Sequence, residues 1–195
     1  RDPPVRAFPQ RSVVDQGHAG QVGETAFHML GQVISASSEA DYPERRFLGW
    51  AAELHEIGVS VAHSGYHKHS AYILANADMP GFSKRDQLRL SRLVLGHRGK
   101  LERLQGVAQS SDDWLLVFCL RVAALLHRSR SDGALPEIEA TRGHRGFQLV
   151  FDSGWLDEAP LTAAAMEEER QQWELLGMSL RLKERNTAAT KKRAS

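Results

Sequence analysis

Residues 53–74 read ELHEIGVSVAHSGYHKHSAYIL and set four histidines, His55, His63, His67 and His69, within fifteen positions. Upstream of His55, the apolar residues Phe47, Leu48, Ala51, Leu54 and Ile57 follow the i, i+3, i+4, i+7 spacing of an amphipathic helix. That helix is expected to begin near Pro43-Glu44 and to stop at Gly58. Ser60 to Tyr66 reads as a loop, and His67 to Ala77 as a short helix closed by the Pro80-Gly81 turn. Imidazoles at a helix end, in a loop and at the next helix start have three uses: metal ligation, hydrogen bonding to an anion, or hydrogen-bonded packing.

Working outward, residues 13–36 carry a helical apolar pattern (Val14, Val22, Ala26, Phe27, Leu30, Ile34) with His18 near its start, and Ser37 to Pro43 is a break. Ser83 is placed to cap a helix whose apolar side is Leu88, Leu90, Leu93 and Val94. Residues 99–111 read as a loop. Asp112 or Asp113 is placed to cap a long helix reaching Arg130, apolar from Leu115 to Leu126 and therefore central to the core. The pattern changes near Ser131. EIEATRGHRGFQLVFD alternates about Gly143 to Gly146, which predicts a β-hairpin. Residues 159–176 then read as a helix and MSLRLKE as a returning strand. The expected architecture is mainly α: a lead-in over 1–12, a helical domain over 13–132, a small β-β-α-β appendage over 133–186 and a disordered tail over 187–195.

The 195 residues are 42% apolar and 25% charged, ordinary for a soluble globular chain, with no run long enough to span a membrane and no signal-peptide h-region. The chain starts at Arg1 rather than Met, so it reads as a piece of a longer polypeptide, and a cytoplasmic location is the default. The lone Cys119, inside WLLVFCLRVAALL, is expected to be a buried thiol. Trp50, Trp114 and Trp173 are read as packing residues, and so is Tyr72. The net charge of +1 conceals an asymmetry: residues 84–103 carry a net +5 and residues 152–174 a net −6.

His18, the pair His55-Glu56, His69 and His97 fall in successive helices or at their ends, and HAGQV at 18–22, LHEIG at 54–58, HSAYIL at 69–74 and LGHRG at 95–99 resemble elements of the HD-type metallophosphohydrolases. In that superfamily an early His, a His-Asp pair and a late Asp bind the metal. Here the pair is His55-Glu56, one methylene longer, which moves the carboxylate by about 1.5 Å. The late position, within LRVAALLHRSR, is Ala124. A methyl cannot ligate, so His18, His55, Glu56 and Ala124 are read as a degenerate site, and neither a metal nor another cofactor is expected in this chain.

A closer resemblance runs from near Val14 to Arg185. AAELHEIG, HSGYHKHSAYIL, DMPGFS, CLRVAALLHRSR and EEERQQWELLGMSLRLKER resemble the carboxy-terminal region of the exopolyphosphatase / guanosine pentaphosphate phosphohydrolase family. The resemblance implies an HD-like helical domain plus a terminal α/β piece. It also implies that catalysis, with its Mg²⁺, lies in upstream actin-like domains of the same polypeptide. The expected role is to bind inorganic polyphosphate or guanosine pentaphosphate and to support a homodimer, this chain alone being inactive.

A polyanion is held by cations and donors strung along a groove. The candidates are His63, His67, Lys68 and His69 in the histidine stretch, Arg92, His97, Arg98, Lys100 and Arg103 in the basic stretch, and Arg128 on the central helix. Arg121, inside an apolar run, is expected either to join them or to form a buried ion pair with Glu56. Affinity is expected to rise as pH falls through the imidazole range. Two other readings compete: an autonomous HD-type phosphohydrolase acting on nucleotides through a metal at His18, His55, Glu56 and His97, and a nucleic-acid-binding module. The second lacks a recognisable nucleic-acid fold, so no nucleic-acid partner is expected, and no membrane partner either.

Overall fold

A computed structural model describes residues 15–34, 43–108, 110–128 and 135–186. The lead-in, the tail, the break after Ile34, Arg130 and the boundary near Ser131 lie outside the described residues.

The helical part is built from α1 (Gln16–Val33), α2 (Glu44–Leu54), a 3-10 turn (Ile57–Ser60), α3 (Tyr66–Asn76), α4 (Lys84–Gly96), a second 3-10 turn (Leu101–Leu104) and α5 (Ser111–Leu126). Side-chain oxygens cap three of them, accepting from the backbone: Asp15 from His18 N, Ser83 from Asp86 N, and Ser110 from Asp113 N. The last replaces the expected Asp112 or Asp113 cap. Asp113 instead sits in the first turn of α5, and its carboxylate accepts from Arg89 Nε at 2.8 Å. The region expected to be loop over 99–111 carries the second 3-10 turn, which buries Leu101 and Leu104.

α5 is buried on nearly every side, and α1, α2 and α4 pack around it, while α3 packs on α4. Cys119, on α5, is a buried free thiol. Tyr72 departs from expectation. α3 buries Tyr66, His67, Ser70, Ala71 and Leu74, and one residue beyond Ala71 the 100° helical step turns Tyr72 outward, leaving it 70% exposed.

The appendage comprises β1 (Glu139–Gly143), β2 (Gly146–Asp152), α6 (Trp155–Glu158), α7 (Pro160–Leu175) and β3 (Ser179–Arg185). The sheet order is β1-β2-β3, with β1 antiparallel and β3 parallel to β2. The crossover through α7 permits the parallel pairing, and the short α6 is an element the sequence pattern did not announce. One apolar core runs through both parts: Phe118 of α5 stacks on Phe147 of β2 at 4.1 Å between ring centroids, and Trp173 of α7 meets both edge-on. Trp50 and Trp114 are partly buried against the same core. No helix among the described residues is long and apolar enough to cross a membrane.

Candidate functional site

His18, His55, Glu56, His63, Tyr66, His97, Arg98, Ala124 and Arg128 line one cavity of about 140 Å³ between α1, the α2 end, the loop before α3, the α4 end and α5. A space of this size is roomy enough for several waters or a phosphate group.

The floor is built by local backbone geometry. His55 ends α2, and Glu56 opens the 3-10 turn. Gly58 follows because nothing else fits: a Cβ there would lie 2.3 Å from Ser70 N and 2.4 Å from Tyr66 O. The segment is tied down by Ser70, whose hydroxyl donates to His55 O and accepts from Gly58 N, both at 2.8 Å. His55 Nδ1 donates to Ala52 O at 2.6 Å, and its Nε2 lies 3.8 Å from Glu56 Oε1. His18, in the first turn of α1, brings its Nε2 to within 3.4 Å of the same oxygen. His18 Nδ1 is buried and has no hydrogen-bond partner among the described residues.

One wall is His97, at the end of α4. Its Nδ1 donates to Val94 O at 2.5 Å, so its Nε2 accepts from the Tyr66 hydroxyl at 3.3 Å. Burial, reinforced by the neighbouring His55, holds the His97 imidazole well below the usual histidine range, so it is neutral. Burial also raises the Tyr66 phenol. The mouth carries His63, Arg98 and Arg128, all exposed, with the Arg98 guanidinium 5.1 Å above the Tyr66 ring. Neither Arg98 nor Arg128 forms an ion pair with a carboxylate among the described residues.

The other candidates divide. His67 lies beside His97, ring to ring at 6.3 Å, and its Nε2 accepts from Arg103 Nη1 at 3.3 Å. Burial, then the nearby Arg103, Arg98 and Lys68, depress His67 to about 4. Gly99 makes this fit possible, with φ of +79° and room for no Cβ, which would meet His67 Nε2 at 2.9 Å. Lys68, His69, Arg92 and Lys100 do not line the cavity: Lys68 and Lys100 are exposed, His69 and Arg92 half-buried on α3 and α4.

Arg121 does not pair with Glu56. Its guanidinium forks onto Glu169 of α7, Nε to Oε2 at 2.7 Å and Nη2 to Oε1 at 2.5 Å, while Nη1 donates to Gly96 O and Gly99 O. Trp173 Nε1 donates to Glu169 Oε2, and Gln172 Oε1 accepts from Leu101 N. The appendage thus holds both ends of the turn that carries His97 and Arg98. No spacing rule links Arg121 to Glu169, 48 positions away. The acidic run around Glu169 was the only hint.

The HD-type resemblance implies a metal, and three of its positions converge. Ligand atoms of His18, His55 and Glu56 all lie within 4.8 Å of one another. Ala124 borders the same cavity with a methyl group. His97 is not in the converging group; its Nδ1 donates to Val94 O and its Nε2 accepts from the Tyr66 hydroxyl.

Residues 1–170 match the family model described as Ppx/GppA phosphatase, domain III. The guanosine-5'-triphosphate,3'-diphosphate pyrophosphatase of Pseudoalteromonas translucida is 32% identical over 179 residues, covering 90% of this chain and 36% of that protein. The protein of the same description from Aeromonas hydrophila is 33% identical over 188 residues, covering 94% and 38%. That from Vibrio cholerae is 28% identical over 178 residues, covering 90% and 36%. The chain therefore spans a little over a third of the length of these relatives.

Proposed function

The chain belongs to the Ppx/GppA phosphatase family, matching its domain III, and we propose that it is the accessory, phosphate-chain-binding region of a larger phosphatase. Hydrolysis and its Mg²⁺ belong to other domains of that polypeptide. The bound anion is guanosine pentaphosphate, the substrate class named for the relatives, or inorganic polyphosphate.

The observation that carries this reading is the pair Arg98 and Arg128: two guanidinia, with no carboxylate partner among the described residues, at the mouth of a cavity roomy enough for a phosphate. Arg forks onto non-bridging phosphate oxygens, and two such forks at one mouth hold a phosphate chain in register. His63 and the Arg103-His67 pair extend the basic surface on the Tyr66 side.

Dimerisation is part of the same proposal. Leu161 and Leu175 are 87% and 74% exposed at the two ends of α7. A partner copy covering this helix would remove both leucines from water.

The test is equilibrium binding of polyphosphate to the wild-type chain and to the Arg98→Ala/Arg128→Ala double variant, with phosphate release measured in parallel. Binding that drops by about tenfold or more in the variant, with no phosphate released by either, supports the reading. Equal affinity of the two proteins refutes it.

A further inference from the structure

The appendage reads as acidic, yet it carries a cationic groove. Arg142, Arg145, Arg170, Arg181 and Lys183 line a space of about 1060 Å³ around the β1–β2 turn and along β3, where the carboxylates are Glu167 and Glu174. Both carboxylates are engaged by Arg170, at 2.6 and 3.0 Å. Arg142 donates to Ser111 O and lies 3.9 Å from Asp112. Arg145, Arg181 and Lys183 are exposed and form no ion pair with a carboxylate among the described residues. Three cations without counter-ions along one groove attract an anion.

Local geometry holds these cations in place. Leu180 and Leu182 of β3 pack on the core, so the alternate residues Arg181 and Lys183 share the outer side, about 6.6 Å apart along the strand. Arg145 sits in the turn, which is fixed to β3 by Ser179 N donating to Arg145 O at 2.9 Å. Gly146 lies too close to Ser179 O to carry a Cβ, so turn and strand meet without a side chain between them.

A second space decides what kind of anion fits. The segment 142–147 and Gly177-Met178 also line an adjoining slot of about 380 Å³, together with Ser111 and Trp114. Trp114 and Met178 are partly buried, and Phe147 is buried. The slot falls within the 300–1,000 Å³ of small-molecule sites, and its aromatic lining suits a flat, weakly polar group. A slot of this kind sharing a wall with a row of free cations matches a ligand with a ring at one end and charge at the other. A bare phosphate chain would use the cations and leave the slot empty. Single-stranded nucleic acid would want successive aromatic platforms, and the outer side of the sheet presents Thr141, Gln148, Arg181 and Lys183 instead.

We propose that groove and slot together bind one nucleoside polyphosphate, its base against Trp114 and Met178 and its phosphates on Arg145, Arg181 and Lys183. No residue lines both this site and the cavity of His97 and Arg98, so the proposal stands independently of the function proposed above.

The test uses the Arg98→Ala/Arg128→Ala chain, which removes both guanidinia from the other cavity, and titrates GTP or tripolyphosphate into it in a calorimeter. The expected result is one GTP per chain, bound about fivefold to a hundredfold more tightly than tripolyphosphate, the gain that stacking one base brings. Adding Arg145→Ala/Arg181→Ala, both at exposed positions, is expected to weaken GTP binding by at least about tenfold at an unchanged melting temperature. GTP is also expected to change the indole fluorescence, and the change to vanish in Trp114→Phe, which keeps an aromatic ring against Trp173. No GTP uptake, or GTP affinity unchanged by Arg145→Ala/Arg181→Ala, overturns the proposal. Equal affinity for GTP and tripolyphosphate refutes it as a nucleotide site, and so does a fluorescence change that persists in Trp114→Phe. None of these outcomes depends on whether the wild-type chain holds polyphosphate at Arg98 and Arg128.

Discussion

His67 carries the clearest consequence of the cavity's electrostatics. Its folded pKa, about 4, is depressed by burial and by Arg103, Arg98 and Lys68, against 6.5 for the free side chain. The unfolded chain therefore takes up a proton at a pH where the folded chain does not. The stability that His67 contributes is full above pH 6.5 and is lost as pH falls from 6.5 towards 4. Chemical denaturation across that window is expected to show falling stability in the wild type and a flatter profile in His67→Gln; parallel profiles would contradict the assignment. The same depression removes His67 from the expected rise in polyphosphate affinity as pH falls through the imidazole range, because it gains no charge there, and the buried His97 stays neutral too. At this scale the sequence exposed the cavity well: His18, His55, Glu56, His97 and Ala124 all come from motif positions, and all line it. It did not expose the uses of Tyr66 and Gly99. A hydroxyl donating to an imidazole 31 positions away, and a glycine making room for another ring, follow from packing and leave no mark on spacing.

At the scale of elements, α7 of the appendage acts on the basic turn of the helical domain. Arg121 is anchored by Glu169 and in turn holds Gly96 O and Gly99 O, while Gln172 holds Leu101 N. Glu169→Gln leaves a buried guanidinium without its counter-charge, a loss of about 3–5 kcal/mol in stability. Gln172→Ala is milder and isolates the positional effect. Its expected outcome is faster amide exchange at Leu101 and weaker polyphosphate binding at nearly unchanged melting temperature; unaltered exchange and binding would contradict the coupling. The helices and hairpin were legible because their signals are local: apolar spacing, the Ser83 cap, and the Gly143 to Gly146 turn. The misreadings were of partners and facing. Arg121, which the pattern leaves open between the polyanion groove and Glu56, pairs with Glu169 instead, and Tyr72, expected to pack, lies opposite the buried side of α3.

At the scale of the molecule, one core joins the two parts through Phe118, Phe147 and Trp173, which makes the appendage a fixed wall for the helical domain. The charges divide between the two parts, with the basic stretch 84–103 in the helical domain and the acidic stretch 152–174 in the appendage. With Leu161 and Leu175 exposed on α7 the chain is expected to dimerise, and a strictly monomeric mass by light scattering would contradict that. The central claim is that the cavity mouth grips a string of phosphates. The most direct measurement is the affinity of the chain for phosphate oligomers of increasing length, from pyrophosphate to long polyphosphate, at two salt concentrations. The account predicts affinity that rises with length and falls with salt, as neutralisation of a linear polyanion requires. Affinity independent of length, or no binding at any length, would contradict it.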